Sequence, residues 1–159
     1  MATGTNIMNK FVTEAGNSAD VRDVLKGLLN RSFTKAGLAI GSTNTRIKIA
    51  NTVDYCIDGK FYTKAGVDNI LLPSGIAQAI GDFCKYLVSL QANQTVTITQ
   101  GSNKSTSALA RIPDLPSDEA PVGYFEVNAA SATYTMGDNL ANGNLTVTYQ
   151  DLSSVVAVD

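Results

Sequence analysis

NTRIKIANTVDYCIDGKFYTKA, residues 44–65, decides the fold class. Thr45, Ile47 and Ile49 alternate with Arg46 and Lys48, and Val53, Tyr55 and Ile57 alternate with Asp54, Cys56 and Asp58. A period of two belongs to a strand, whose successive side chains point to opposite faces. Asp58-Gly59 follows, and this pair suits a tight hairpin turn that needs positive φ at both central residues. Phe61 and Tyr62 open the return strand. The stretch therefore reads as two or three antiparallel strands whose register the turn sets, and the remaining strands are expected to add to them.

Working outward, residues 1–17 are small and polar apart from Ile7, Met8, Phe11 and Val12, a composition that cannot pack on itself. They are expected to form a flexible arm, with residues 18–159 as a single β-rich domain. From Ser18 the period changes: Val21, Val24, Leu25, Leu28 and Leu29 share one helical face, Ser18 is placed to cap, and Asp20 and Asp23 fall in the first turn. One short N-terminal helix is predicted. Leu38–Ile40 is a short strand, and Val67–Leu72 is another, stopped by Pro73-Ser-Gly.

Residues 76–90 fit two periods. Ile76, Ile80, Phe83, Cys84, Leu87 and Val88 match a helical stripe, but loop followed by strand is preferred, because Thr95–Thr99 is a clear strand that needs a hairpin partner across Ala92-Asn93. Ile112–Pro121 holds three of the four prolines. That bars a central strand and predicts an extended crossing at a sheet edge. Val122–Val127, a weaker Ala132–Met136 and Leu145–Tyr149 complete about eight strands. The predicted fold is mainly β, an antiparallel sandwich or short barrel.

At 159 residues, 44 % apolar and 16 % charged, the chain suffices for one core. A formal charge of −2 with scattered Lys and Arg gives no general attraction to phosphate backbones, so nucleic acid is not an expected partner. The first residues lack the pattern of a signal peptide, and no stretch approaches the span of a membrane helix. Synthesis and folding in a cytoplasm, with no membrane partner, is the expectation. Cys56 and Cys84 form no disulfide framework and are expected as reduced, semi-buried thiols, although their pairing stays open.

With no histidine, the commonest general base and the commonest zinc ligand are missing. No catalytic, cofactor-binding or metal-ligating residue is assigned, and an enzyme is not expected. Asp118-Glu119 and Asp20/Asp23 read as surface charges at a loop and a helix start. Gly41-Ser-Thr-Asn and Gly101-Ser-Asn-Lys-Ser lack the spacing of a phosphate loop and read as hairpin ends. Tyr55, Phe61, Tyr62, Phe83, Tyr86, Tyr124, Phe125, Tyr134 and Tyr149 are assigned to core and cross-strand packing rather than to a stacking platform.

Two blocks add a resemblance. GLAIGSTNTRIKIANTVDYCIDGKFYTKAG and IPDLPSDEAPVGYFEV, with FCKYLVSL and TVTITQG between them, resemble a group of small virion structural proteins of tailed bacteriophages, labelled head decoration, head fibre or structural protein. The resemblance covers about Gly37 to Val127 and carries no catalytic residue. It implies a capsid decoration, or cement, protein that binds the outside of the major capsid protein lattice, made in the host bacterium and placed on the capsid exterior. A homotrimer is the expected oligomer, with Ile7, Met8 and Phe11 of the arm as anchors on a neighbour. The alternative is a receptor- or glycan-binding module of a head fibre or tail.

Overall fold

The computed structural model describes residues 30–153. The predicted helix and the anchors Ile7, Met8 and Phe11 lie outside them. Ten strands follow in order: β1 (Arg31–Ser32), β2 (Leu38–Ile40), β3 (Arg46–Ile49), β4 (Val53–Ile57), β5 (Lys60–Lys64), β6 (Val67–Leu71), β7 (Phe83–Gln91), β8 (Val96–Gln100), β9 (Glu119–Asn128) and β10 (Thr146–Asp151). They form three antiparallel sheets, ordered β1-β4-β5, β2-β3-β6 and β10-β9-β7-β8. Each sheet is open, so the sandwich-like form of the predicted mainly β fold is the one adopted, not the barrel.

The hairpin turn forms as its residues predict, with φ of 51° at Asp58 and 77° at Gly59. It sets Ile57 opposite Lys60, and pairing continues outward to Val53 opposite Lys64. A three-residue link, 50–52, faces the two-residue link 65–66, and β3 then meets β6 with Ile47 opposite Ile70 and Arg46 opposite Leu71. The outer pairs keep the count begun at the turn, after a bulge between Ile47 and Ile49. The expectation of one growing sheet is corrected. The ribbon bends at 50–52, so its inner half joins β1, its outer half joins β2, and most of the later strands build a separate four-stranded sheet.

The inward faces of all three sheets share one cluster. Ile47, Ile49, Val53 and Tyr55 from the ribbon meet Tyr86, Val88 and Leu90 of β7 and Val122, Phe125 and Val127 of β9. Alternation thus becomes burial, as it must when one face of an antiparallel sheet packs on the core. Polar contacts also fasten the layers. Tyr55 Oη donates to Gln91 O at 2.8 Å, and Ser32 Oγ lies 2.9 Å from Pro121 O and 2.8 Å from Leu152 O, one proton serving both carbonyls.

Three local expectations change. The strand from Phe83 is present and pairs with β8 as preferred, but Ala132–Met136 forms no strand and contributes one bridge, Tyr134 to Gln78. The end of the proline-rich crossing enters a strand after all, since β9 starts at Glu119 and includes Pro121. Pro121 is accommodated because it sits at the register shift opposite Ser89, while the pairing of β10 reaches only to Gly123. A missing N–H is tolerated where the ladder is already interrupted and one side has no strand. Finally, both cysteines are free thiols and fully inside the protein rather than half-buried.

Candidate interaction surface

β7 and β8 form a hairpin, and the chain from Gly101 to Asp118 passes back along it to reach β9. Two cavities open on this path. The larger, about 920 Å³, lies between the end of β8 and residues 109–114, with Ile76 on its rim. The smaller, about 520 Å³, lies at the other end of the hairpin between Gln91–Asn93 and Pro116–Glu119.

The larger groove has fixed walls. Gln100 holds the 75–78 segment with its side-chain amide: Nε2 donates to Ile76 O at 2.7 Å and Oε1 accepts from Ile76 N at 2.8 Å, the pattern a neighbouring strand would supply. Asn103 Nδ2 adds a bond to Ala77 O at 2.8 Å, while its Oδ1 is buried without a partner. Lys104 and Phe83 exchange backbone bonds of 2.9 and 2.7 Å. At the floor, the crossing approaches so closely that a Cβ on Gly101 would sit 2.8 Å from both Arg111 O and Lys85 O, so only glycine fits. Ser107 Oγ anchors the far side on the Glu126 carboxylate at 2.8–2.9 Å, and Lys85 Nζ reaches the same carboxylate at 3.6 Å.

These bonds hold apolar side chains outward. Ile76 is 75 % exposed and Leu109 57 %, with Ile112 beside them and Lys104 and Arg111 supplying two cations. Such a groove suits the apolar side chains of a peptide. None of these residues was assigned to a binding surface from sequence. Ile76 fits a helical stripe but lies in a loop, as the preferred reading of 76–90 has it, and the latch of Gln100 on the 75–78 backbone helps hold it outward.

The smaller cavity contains the one carboxylate whose placement differs sharply from expectation. Glu119, read as a loop charge, is only 6 % exposed and lies in β9. Ser89 Oγ donates to its Oε2, as does Thr97 Oγ1 at 2.6 Å, and Gln91 Nε2 donates to Oε1 at 3.1 Å. Burial pushes its pKa up, but these three donors outweigh that and hold it below the ordinary value. Asp118 remains an exposed loop charge, while Asp20 and Asp23 lie outside the described residues.

The two loops compared with phosphate sites also resolve. Ser42 N donates to Asp68 Oδ1 at 3.0 Å and Thr43 N to Asn69 Oδ1 at 2.8 Å, so a carboxylate already occupies the place an anion would take at Gly41-Ser-Thr-Asn. The Gly101 loop uses its backbone in the groove wall described above. Among the described residues, no group of three or more Cys, Asp or Glu is placed to hold a metal, and no helix is long and apolar enough to cross a membrane.

Most aromatics pack as expected. Tyr86 stacks on its cross-strand partner Phe125 at 4.8 Å and Tyr55 on Tyr62 at 5.4 Å. Phe61 departs from this: it is 77 % exposed and stacks at 5.6 Å on Phe33, whose ring carries the Arg31 guanidinium at 5.2 Å. Phe33 had no periodic neighbours to mark it. Comparison with protein-family models, with curated proteins and with solved structures returns no match to this chain.

Proposed function

We propose that this protein is a bacteriophage capsid decoration protein, binding the outer surface of the major capsid protein lattice as a homotrimer and cementing neighbouring subunits. The observation that carries the reading is where the two phage-like blocks fall. The first, residues 37–66, forms strands β2–β5 of the bent ribbon, and the second, residues 112–127, supplies part of the wall of the exposed groove and nearly all of β9. Both serve architecture and surface, as a cement protein requires. Binding the assembled shell stabilises it by mass action, and three copies multiply weak contacts.

Co-sedimentation with capsids stripped of this component, alongside mass by light scattering, tests the reading. Saturable binding at a fixed ratio to the capsid protein is the expected result. Absence of binding transfers the proposal to the second reading, a receptor- or glycan-binding module. The Arg31–Phe33–Phe61 stack favours that alternative, since an exposed ring, Phe61, stacked on a second that carries a cation suits ring stacking. Binding on a glycan array that Phe61→Ala abolishes would establish it.

A further inference from the structure

We propose that β8 and the groove at its end receive residues 6–12 of a second copy of this chain, added as a strand. The inference deepens the reading above by naming what the arm binds, and it rests on the trimer, not on the capsid.

β8 is the edge of the four-stranded sheet. Gln91 N bonds to Thr95 O and Gly101 N to Lys85 O, so the ladder to β7 uses the backbone of the odd-numbered residues of β8. Antiparallel geometry then turns the N–H and C=O groups of Val96, Ile98 and Gln100 outward, and no described residue hydrogen-bonds them. The strand has no Lys, Pro or other charge to protect it, and an unprotected edge of β-branched residues is a template for another strand. At its Gln100 end lie Ile76, Leu109 and Ile112. The surface therefore asks for an extended segment with apolar residues at one end.

Residues 6–12, Asn-Ile-Met-Asn-Lys-Phe-Val, meet that requirement, with Ile7 and Phe11 on one face of a strand and Met8 and Val12 on the other. The length of chain before the described residues sets the arm's reach. Asn30 is tied to the domain, its Nδ2 donating to Ser117 O at 2.9 Å and its Oδ1 accepting from Asp58 N at 2.8 Å. The helix predicted for 18–29 advances about 18 Å from there at the usual rise, and residues 13–17 add up to about 17 Å more if extended. That reach lets residues 6–12 arrive at β8 of a neighbouring copy. Repeated head to tail, one arm per β8 edge, the exchange closes into a ring.

Light scattering of the full chain, without capsids, is the first measurement. A trimer is expected, with a threefold fall in mass on deleting residues 2–12 and the same fall in Ile76→Asp/Leu109→Asp, both with unchanged circular dichroism. Chains carrying Ile7→Cys and Leu109→Cys together should oxidise to covalent trimers. A wild-type monomer, a trimer surviving both changes, or cross-links confined to single chains overturns the inference. An arm-dependent trimer that ignores stripped capsids defeats only the cement reading, and a monomer that still decorates them defeats this inference and the homotrimer while leaving capsid binding standing.

Discussion

Thr97 Oγ1 of β8 donates a 2.6 Å hydrogen bond to Glu119 Oε2 of β9, two strands that are not neighbours in their sheet. Ser89 of the intervening β7 donates to the same oxygen. One carboxylate therefore ties three strands together beside the bulge at Val88 and Ser89. No cation compensates it among the hydrogen-bond donors; neutral hydroxyls and an amide stabilise the charge.

That arrangement predicts an acid-sensitive fold. Because the folded pKa of Glu119 lies below its ordinary value of 4.5, its contribution is fully present above that pH and is lost as pH falls through the folded value. Urea denaturation from pH 7 to pH 3 should show wild type losing more stability than Glu119→Gln below about pH 4.5. Identical pH dependences would refute the assignment. Glu119→Ala, which strands three donors, should cost about 2–3 kcal/mol at pH 7.

Two tyrosines should respond oppositely to loss of their hydroxyls. Tyr86 Oη donates at 2.7 Å to Oε1 of the fully buried Gln78, whose Nε2 is bonded to Val127 O and Asp82 O. Tyr86→Phe leaves that oxygen unpaired and should destabilise by about 1–3 kcal/mol. Tyr149 Oη is buried without a partner, so Tyr149→Phe should be neutral or stabilising. Burial pushes the Tyr149 pKa from 10.0 up to about 12, so its contribution holds below pH 10 and fades as pH rises to the folded value. Tyr149→Phe should accordingly soften alkaline unfolding between those values; a steeper alkaline loss in the variant would contradict this.

Gly59 has φ of 77° and open space around it, so a side chain there meets backbone strain and no clash. Gly59→Ala should cost about 1 kcal/mol, lowering Tm by about 2–4 °C in a chain of this size. An unchanged Tm would show that the turn does not constrain the ribbon.

Cys56 and Cys84 are both buried, and desolvation raises the Cys84 pKa, keeping it a thiol. Thiol-reactive dye should label two groups per chain in denaturant and react at least tenfold more slowly without it. Rapid labelling of the native protein would show that one of them is accessible.

The ribbon, its turn, the β7–β8 hairpin and the last strand were legible because each depends on neighbours in sequence, through period two and an Asp-Gly pair, whereas the prolines misled at Pro121, which lies inside β9. The groove was not legible. Ile76 and Ile80 share a helical spacing with Phe83 and Leu87, yet Ile76 is exposed because Gln100, 24 residues away, grips its backbone. Glu119 carries an ordinary loop signature, next to Asp118 and among prolines, and only the meeting of β7, β8 and β9 surrounds it with donors.

By itself the sequence determined most of the strands, their faces and the register of the ribbon, since alternation and turn chemistry act over a few residues. Tertiary structure alone decided how the strands divide among three sheets, which apolar side chains stay outside, and where an edge remains unpaired. Those outcomes depend on contacts between segments 20 to 120 residues apart, such as Gln100 with Ile76 and Ser32 with Leu152, and no local pattern records which distant groups will meet.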